Sequence, residues 1–259
     1  MQILLTNDDG IYAPGLAAME RALLRLGDVS VVAPAVEQSG VGHSITFLMP
    51  LMAKEIFDGE RRRGWAVEGS PADCIKLALS EFCPRPDLVV SGINGGLNLG
   101  INVLYSGTVA GATEGAVFGI PSISVSLEYD EHAQFDRAAE LAVGLIEQIL
   151  ARKDVGNHTL YNINIPTVAL QRRAEVHVVP MGTVGWPAEF DRRVDPKGRR
   201  YYWAMGTPAV SQTGEMTDLE AWQKGYVTIT PLRIDRTETA MLERMHGWNL
   251  SLDERRNET

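Results

Sequence analysis

QILLTNDDGIYAPGLAAMERALLRLGDVSVVAP, residues 2–34, decides the fold. Residues 2–7 are an apolar run closing on Thr6 and Asn7, the pattern of a strand buried on both faces. Residues 14–27 place Leu16, Met19, Leu23 and Leu26 on one helical stripe, with Pro14 in the first turn and Gly27 as the expected stop. Residues 28–34 return as a second apolar strand. Strand, helix and strand at this spacing form a parallel βαβ unit with a right-handed crossover. At the junction of the first strand and the helix stand Asp8 and Asp9, two like charges side by side.

The same alternation continues outward. EQSGVGHS (37–44) is a loop. SPADCIKLALSEF (70–82) is a helix with Ser70 as N-cap, Pro71 at the first position and Asp73 three residues after the cap. DLVVSG (87–92) is another buried strand, followed by the glycine-rich INGGLNLG. SGTVAGATEGAVFG (106–119) is a small-residue helix suited to close packing, PSISVSL (121–127) a strand, and 138–152 an amphipathic helix. This order implies a mostly parallel α/β sheet covered on both faces.

After about residue 158 the pattern changes. Residues 159–166 and 176–181 read as strands, and 188–205 as a hairpin around the turn Asp195–Gly198. Residues 217–225 read as a short helix, 226–232 as a returning strand and 239–248 as a last helix. The expected division is a core over 1–182 and a mixed C-terminal extension over 183–259 with a hairpin arm for oligomerisation.

The chain has 259 residues and a formal net charge of −9, which argues against nonspecific binding of polymeric nucleic acid. No apolar run reaches the roughly 18 residues of a membrane span, and the N-terminus lacks a basic leader, so the cytoplasm is the default expectation. The two cysteines, Cys74 and Cys83, are nine residues apart on one expected helix, on opposite faces and unable to pair.

Ligands of open parallel sheets bind at the carboxyl ends of the strands. There this sequence places Asn7, Asp8 and Asp9, then Ser39, then Ser91, Asn94 and Asn98. Nearly all are oxygen donors, suited to Mg²⁺, Mn²⁺ or Ca²⁺. A divalent cation would cancel the repulsion between Asp8 and Asp9, although a bare Asp-Asp-Gly also forms an ordinary turn with solvated acids. Ser106, Gly107 and Thr108 open a helix whose free N–H groups suit an anion, although Ser106 also reads as a plain N-cap. One cation facing one phosphate cradle points to metal-assisted phosphomonoester hydrolysis. Asp8 and Asp9 would direct the attacking water, and His43 is the candidate acid for the leaving group, or else a polar loop residue bonded to backbone.

Competing chemistries fit less well. A response-regulator receiver needs a phospho-accepting Asp at a later strand end, where Ser91 stands. A haloacid-dehalogenase phosphatase needs D-x-D-x-T, and a dehydrogenase needs G-x-G-x-x-G after the first strand; NDDGIYAPG offers neither. Asp73 reads as a helix-start carboxylate, Cys74 as a core residue, and Arg192, Arg193, Arg199 and Arg200 as a solvated face. Trp186, Tyr201, Tyr202 and Trp203 suit either base stacking or a subunit contact. A non-catalytic nucleotide- or phosphate-sensing protein remains the alternative.

TNDDGIYAPG (6–15), APAVEQSG (33–40), GSPADCIKLAL (69–79), DLVVSGINGGLNLG (87–100), YSGTVAGATEGA (105–116), YNINIP (161–166) and GYVTITPL (225–232) together resemble the stationary-phase survival protein SurE family, in its order and over about residues 1–232. The resemblance implies a Rossmann-like core and a C-terminal extension that exchanges between subunits, giving a homodimer or homotetramer. It implies a 5′-nucleotidase, a nucleoside monophosphate phosphatase that also takes 3′-nucleotides and, in some members, short polyphosphate. Its metal ligands carry over onto Asp8, Asp9, Ser39 and Asn94, holding one Mg²⁺ or Mn²⁺ per subunit. Its phosphate-side residues carry over onto Asn98, Ser106, Gly107 and Thr108.

Overall fold

The computed structural model describes residues 1–130, 133–152, 156, 158–171, 174–184, 189–205, 214–248 and 250. In chain order the elements are β1 (Gln2–Thr6), α1 (Pro14–Leu23), β2 (Asp28–Pro34), β3 (Ala53–Asp58), β4 (Arg61–Val67), α2 (Pro71–Leu77), β5 (Leu88–Gly95), α3 (Gly107–Val117), β6 (Ser122–Leu127) and α4 (Phe135–Leu150). They continue with β7 (Leu160–Ile165), β8 (Val176–Val178), β9 (Glu189–Val194), β10 (Arg200–Met205), α5 (Asp218–Gln223), β11 (Val227–Leu232) and α6 (Thr239–His246).

One nine-stranded sheet runs β3-β4-β2-β1-β5-β6-β7-β11-β8, and β9 and β10 form a separate antiparallel hairpin. From β4 through β7 every neighbouring pair is parallel; β3 and β11 run against β4 and β7. β1 explains its own apolar run. Ile3 and Leu5 enter the core under α1 and α4, while Leu4 enters the one under α2. Both faces being covered, neither parity of the strand can be polar.

The chain passes from β1 to β2 on one side and returns to β5 on the other. That reversal opens a crevice at the carboxyl ends of β1 and β5, the place where such sheets bind ligands.

Several boundaries differ from expectation. α1 stops at Leu23, not Gly27. Gly27 serves a close approach instead, since a Cβ there would lie 2.0 Å from the Met1 carbonyl oxygen. α2 begins as expected, with Ser70 Oγ accepting from Asp73 N at 3.1 Å and Asp73 Oδ2 accepting from Ser70 N at 2.9 Å, but widens into a π turn over Ala78–Phe82. The β3–β4 hairpin was not anticipated. Its turn at Asp58–Gly59 is a hairpin signal, but Arg61, Arg62 and Arg63 mask the strand pattern. Cys74 is buried with its thiol pushed up by burial, and both cysteines are free.

Candidate active site

β1 ends in a turn that Asn7 closes on itself. Its Nδ2 donates to the Gly10 carbonyl at 3.0 Å and its Oδ1 accepts from Gly10 N at 3.2 Å. Gly10 has φ +100°, a conformation that side chains disfavour, and the tight reversal leaves Asp8 and Asp9 at its apex. Asp8 is 3% exposed.

Three segments converge on the pair. From the end of β5, Gly95 N donates to Asp9 Oδ2 at 3.1 Å. The neighbouring Asn94 spends its Nδ2 on the Gly96 carbonyl at 2.6 Å, which makes Oδ1 the free end of that amide. From the loop after β2, Gln38 N donates to the Asp8 carbonyl at 2.7 Å, which brings Ser39 alongside. Ser39 is exposed, and its Oγ donates to Glu37 Oε1 at 2.7 Å. From α3, the Thr108 hydroxyl donates to Asp8 Oδ1. A Cβ at Gly107 would stand 2.8 Å from Asp8 Cβ, so only glycine lets the helix come this close.

The start of α3 is therefore aimed at Asp8. Ser106 Oγ caps the helix by accepting from Val109 N at 3.1 Å, and Thr108 N–H also favours the Asp8 carboxylate. Donors expected to serve a phosphate are partly spent on the first acid, whose negative charge suits a helix N-terminus. Asn98 belongs to a buried amide network: its Nδ2 donates to Ser126 Oγ at 2.8 Å, and its backbone bonds Asn162 and Asn164.

The electrostatics of the pair are uncompensated. Burial first, then the Asp9 charge, pushes the Asp8 carboxyl up to about 6, against the pull of Thr108. Burial also raises Asp9, with Glu37 adding repulsion and Gly95 N–H opposing it. Among the described residues neither acid pairs with a Lys, Arg or His. Adjacent acids, a neutral amide oxygen and a hydroxyl form a hard-donor set lacking positive charge, which fits one divalent cation.

His43 lies beside this crevice rather than in it. Among the described residues its ring bonds a side chain and no backbone: Nε2 lies 2.6 Å from Oε2 of Glu114, a carboxylate only 4% exposed. Lys76 Nζ stands 2.7 Å from the other oxygen. Burial would raise the Glu114 carboxyl, but His43 and Lys76 together hold it below the usual range. His43, Lys76, Ser106 and Glu114 share a cleft of about 660 Å³ along the outer face of α3, floored by Val109 and Leu160 and edged by Arg233 and Arg236. Glu114 was missed in the sequence; its only signal is an acid in the otherwise small, neutral run AGATEGA.

Asp73 is a capping carboxylate that also accepts from Thr46 N at 2.9 Å and Thr46 Oγ1 at 2.8 Å. Arg192, Arg193, Arg199 and Arg200 lie on or beside the exposed hairpin, as do Tyr201, Tyr202 and Trp203; Trp186 lies outside the described residues.

A family model described as Survival protein SurE matches residues 3–188. A protein from Rhodopirellula baltica named 5′-nucleotidase SurE is 53% identical over 252 residues, covering 96% of this chain and 99% of the relative. One of the same name from Heliobacterium modesticaldum is 42% identical, covering 96% and 92%. The crystal structure of a SurE protein from Aquifex aeolicus aligns with a TM-score of 0.81 at 37% identity, covering 95% of this chain and 98% of that one.

Proposed function

The chain belongs to the SurE family, and from that membership we propose that it is a 5′-nucleotidase, a metal-dependent hydrolase that removes phosphate from nucleoside 5′-monophosphates, with 3′-nucleotides and short polyphosphate as further substrates. The observation that carries this reading is the buried Asp8–Asp9 pair at the β1/β5 crevice, with no positive side chain paired to it among the described residues and the N-terminus of α3 laid against it. Asp8, Asp9, Ser39 and Asn94 would hold one Mg²⁺ or Mn²⁺. When bound, the cation supplies positive charge to a phosphoryl oxygen and makes a nearby water more acidic.

The chain's own groups do the rest. Asp8, fixed by Thr108, and Asp9, fixed by Gly95 N–H, orient the attacking water and accept its proton. The Gly107 N–H and the dipole of α3 face the developing charge on the phosphoryl oxygens. Ser106 and Asn98 brace this wall, Ser106 as the cap of α3 and Asn98 through its amide network. His43 gives a proton to the leaving ribose oxygen. No helix among the described residues is long and apolar enough to cross a membrane, and the substrates are small nucleotides.

The test is phosphate release from a panel of 5′- and 3′-nucleotides with Mg²⁺ or Mn²⁺, then with chelator. Metal-dependent release from 5′-monophosphates is expected. Nucleotide binding without release under every metal overturns the assignment in favour of a nucleotide sensor.

A further inference from the structure

We propose that Glu114 is a positioning residue that holds His43 as the acid for the leaving nucleoside, an inference that rests on the phosphatase reading above. A buried carboxylate is costly unless paired, and Lys76 alone would give Glu114 a countercharge. Its second oxygen is instead given to His43 at 2.6 Å.

That bond engages Nε2, so Nδ1 is the ring nitrogen left for proton transfer. The backbone on either side is fixed as well. Gly42 N donates to the Tyr105 carbonyl at 2.9 Å, Ser70 Oγ to the Ser44 carbonyl at 2.6 Å, and Thr46 is bound twice by Asp73. The ring therefore stands at a set place in the α3 cleft, which it shares with Ser106. The next residue, Gly107, lies against Asp8, so the cleft adjoins the proposed phosphate site and can receive what leaves the phosphorus.

The charges facing His43 are Glu114 on α3, Lys76 on α2, and Arg233 and Arg236 beyond β11. Glu114 thus sets the orientation of the ring.

The step balances. The water oxygen forms a bond to phosphorus while the bond from phosphorus to the ribose oxygen breaks, its electron pair going to that oxygen. The imidazolium passes its Nδ1 proton to the ribose oxygen, and the water proton passes to the Asp8–Asp9 pair. The products are inorganic phosphate and a nucleoside; the Asp8–Asp9 pair gives the water proton up to solvent and neutral His43 regains one from it.

The experiment compares the wild type, Glu114→Gln, His43→Gln and the double variant on a nucleoside 5′-monophosphate and on p-nitrophenyl phosphate, whose leaving group needs no acid. For Glu114→Gln, kcat on the nucleotide should fall about 10- to 100-fold. That fall should be at least about tenfold steeper than on the aryl ester. Adding Glu114→Gln to His43→Gln should cost nothing more. Equal falls on both substrates, a further loss on adding Glu114→Gln to His43→Gln, or full nucleotide activity in Glu114→Gln overturns the assignment of Glu114. A wild type that releases phosphate from neither substrate overturns the phosphatase reading as well, so the two failures are told apart.

Discussion

Glu114 has its countercharges built in, Lys76 at 2.7 Å and His43 at 2.6 Å, and its carboxyl is held low despite burial. Asp8 has Thr108 and a helix N-terminus but no paired cation among the described residues, and burial lifts it to about 6. The contrast is what supports assigning the proposed cation to Asp8 and not to Glu114. It also fixes a sign. A folded value raised above the unfolded one favours the protonated form, so the contribution of Asp8 to stability is intact below about pH 4 and lost as pH climbs through about 6. The difference is roughly 3 kcal/mol at about 1.4 kcal/mol per unit. In chelator, Asp8→Asn should therefore melt above the wild type at pH 7.5 and converge with it below pH 4, while Mn²⁺ should raise the melting temperature of the wild type alone. The same variant should lose phosphate release by about a hundred- to a thousandfold, a magnitude typical of removing a group acting in the transition state. Near wild-type turnover in Asp8→Asn would sink the role given to the pair. The placement of Asp8, Asp9 and Asn94 at one crevice was legible because strand ends are legible. Glu114 was not, because an acid in a helix reads as solvated until packing from α2 and the His43 loop is known.

At the scale of elements, α3 shows how glycine spacing makes a site. Gly107, Gly111 and Gly115 lie along the face that meets the sheet, where added Cβ atoms would stand 2.8 Å from Asp8 Cβ, 2.9 Å from Thr6 Cγ2 and 2.5 Å from Ser122 Oγ. Alanine should favour a helix over glycine by roughly 0.5–1 kcal/mol, so any loss must come from these contacts. Gly115→Ala meets Val89 and Ser122 in the core and should cost about 1–3 kcal/mol with kcat nearly kept. Gly107→Ala meets Asp8 and should cost mainly turnover. Thermal melts and kcat on the two variants check this, and equal damage to both quantities in both would refute the division. The small-residue pattern announced a closely packed helix, and the cap at Ser106 was readable too. What the helix packs against was not, because glycine records closeness without naming the neighbour. β3 and β4 escaped notice for another reason: an edge hairpin alternates with solvent, and its arginines look like a solvated surface.

At the scale of the molecule, the division at residue 182 has to account for β11, which returns from the extension to lie between β7 and β8. α5 is tied to the core as well, Asp218 accepting from Gly100 N at 2.7 Å, but among the described residues α6 and the hairpin have no such support. Every described residue of α6 is exposed, including Met241, Leu242 and Met245, and Trp248 just beyond it is 54% exposed. The hairpin leaves Phe190, Val194, Tyr202 and Trp203 open to solvent in the single chain. Short helices and two-stranded hairpins are marginal in water on their own, so both elements require a surface to cover them. Apolar residues are clustered on both, and we propose that the covering surface is a second copy of the same extension, residues 183–259, in a homodimer or homotetramer. Light scattering on the full chain should give the mass of two or four copies, and Tyr202→Glu with Trp203→Glu should shift it toward one. A wild type that stays monomeric at micromolar concentration would leave the arm without this purpose. Retained activity in a dissociated double variant would show that each chain holds a complete Asp8–Asp9 site, as expected when Thr108, Gly95 and Gln38 of the same chain supply its hydrogen bonds.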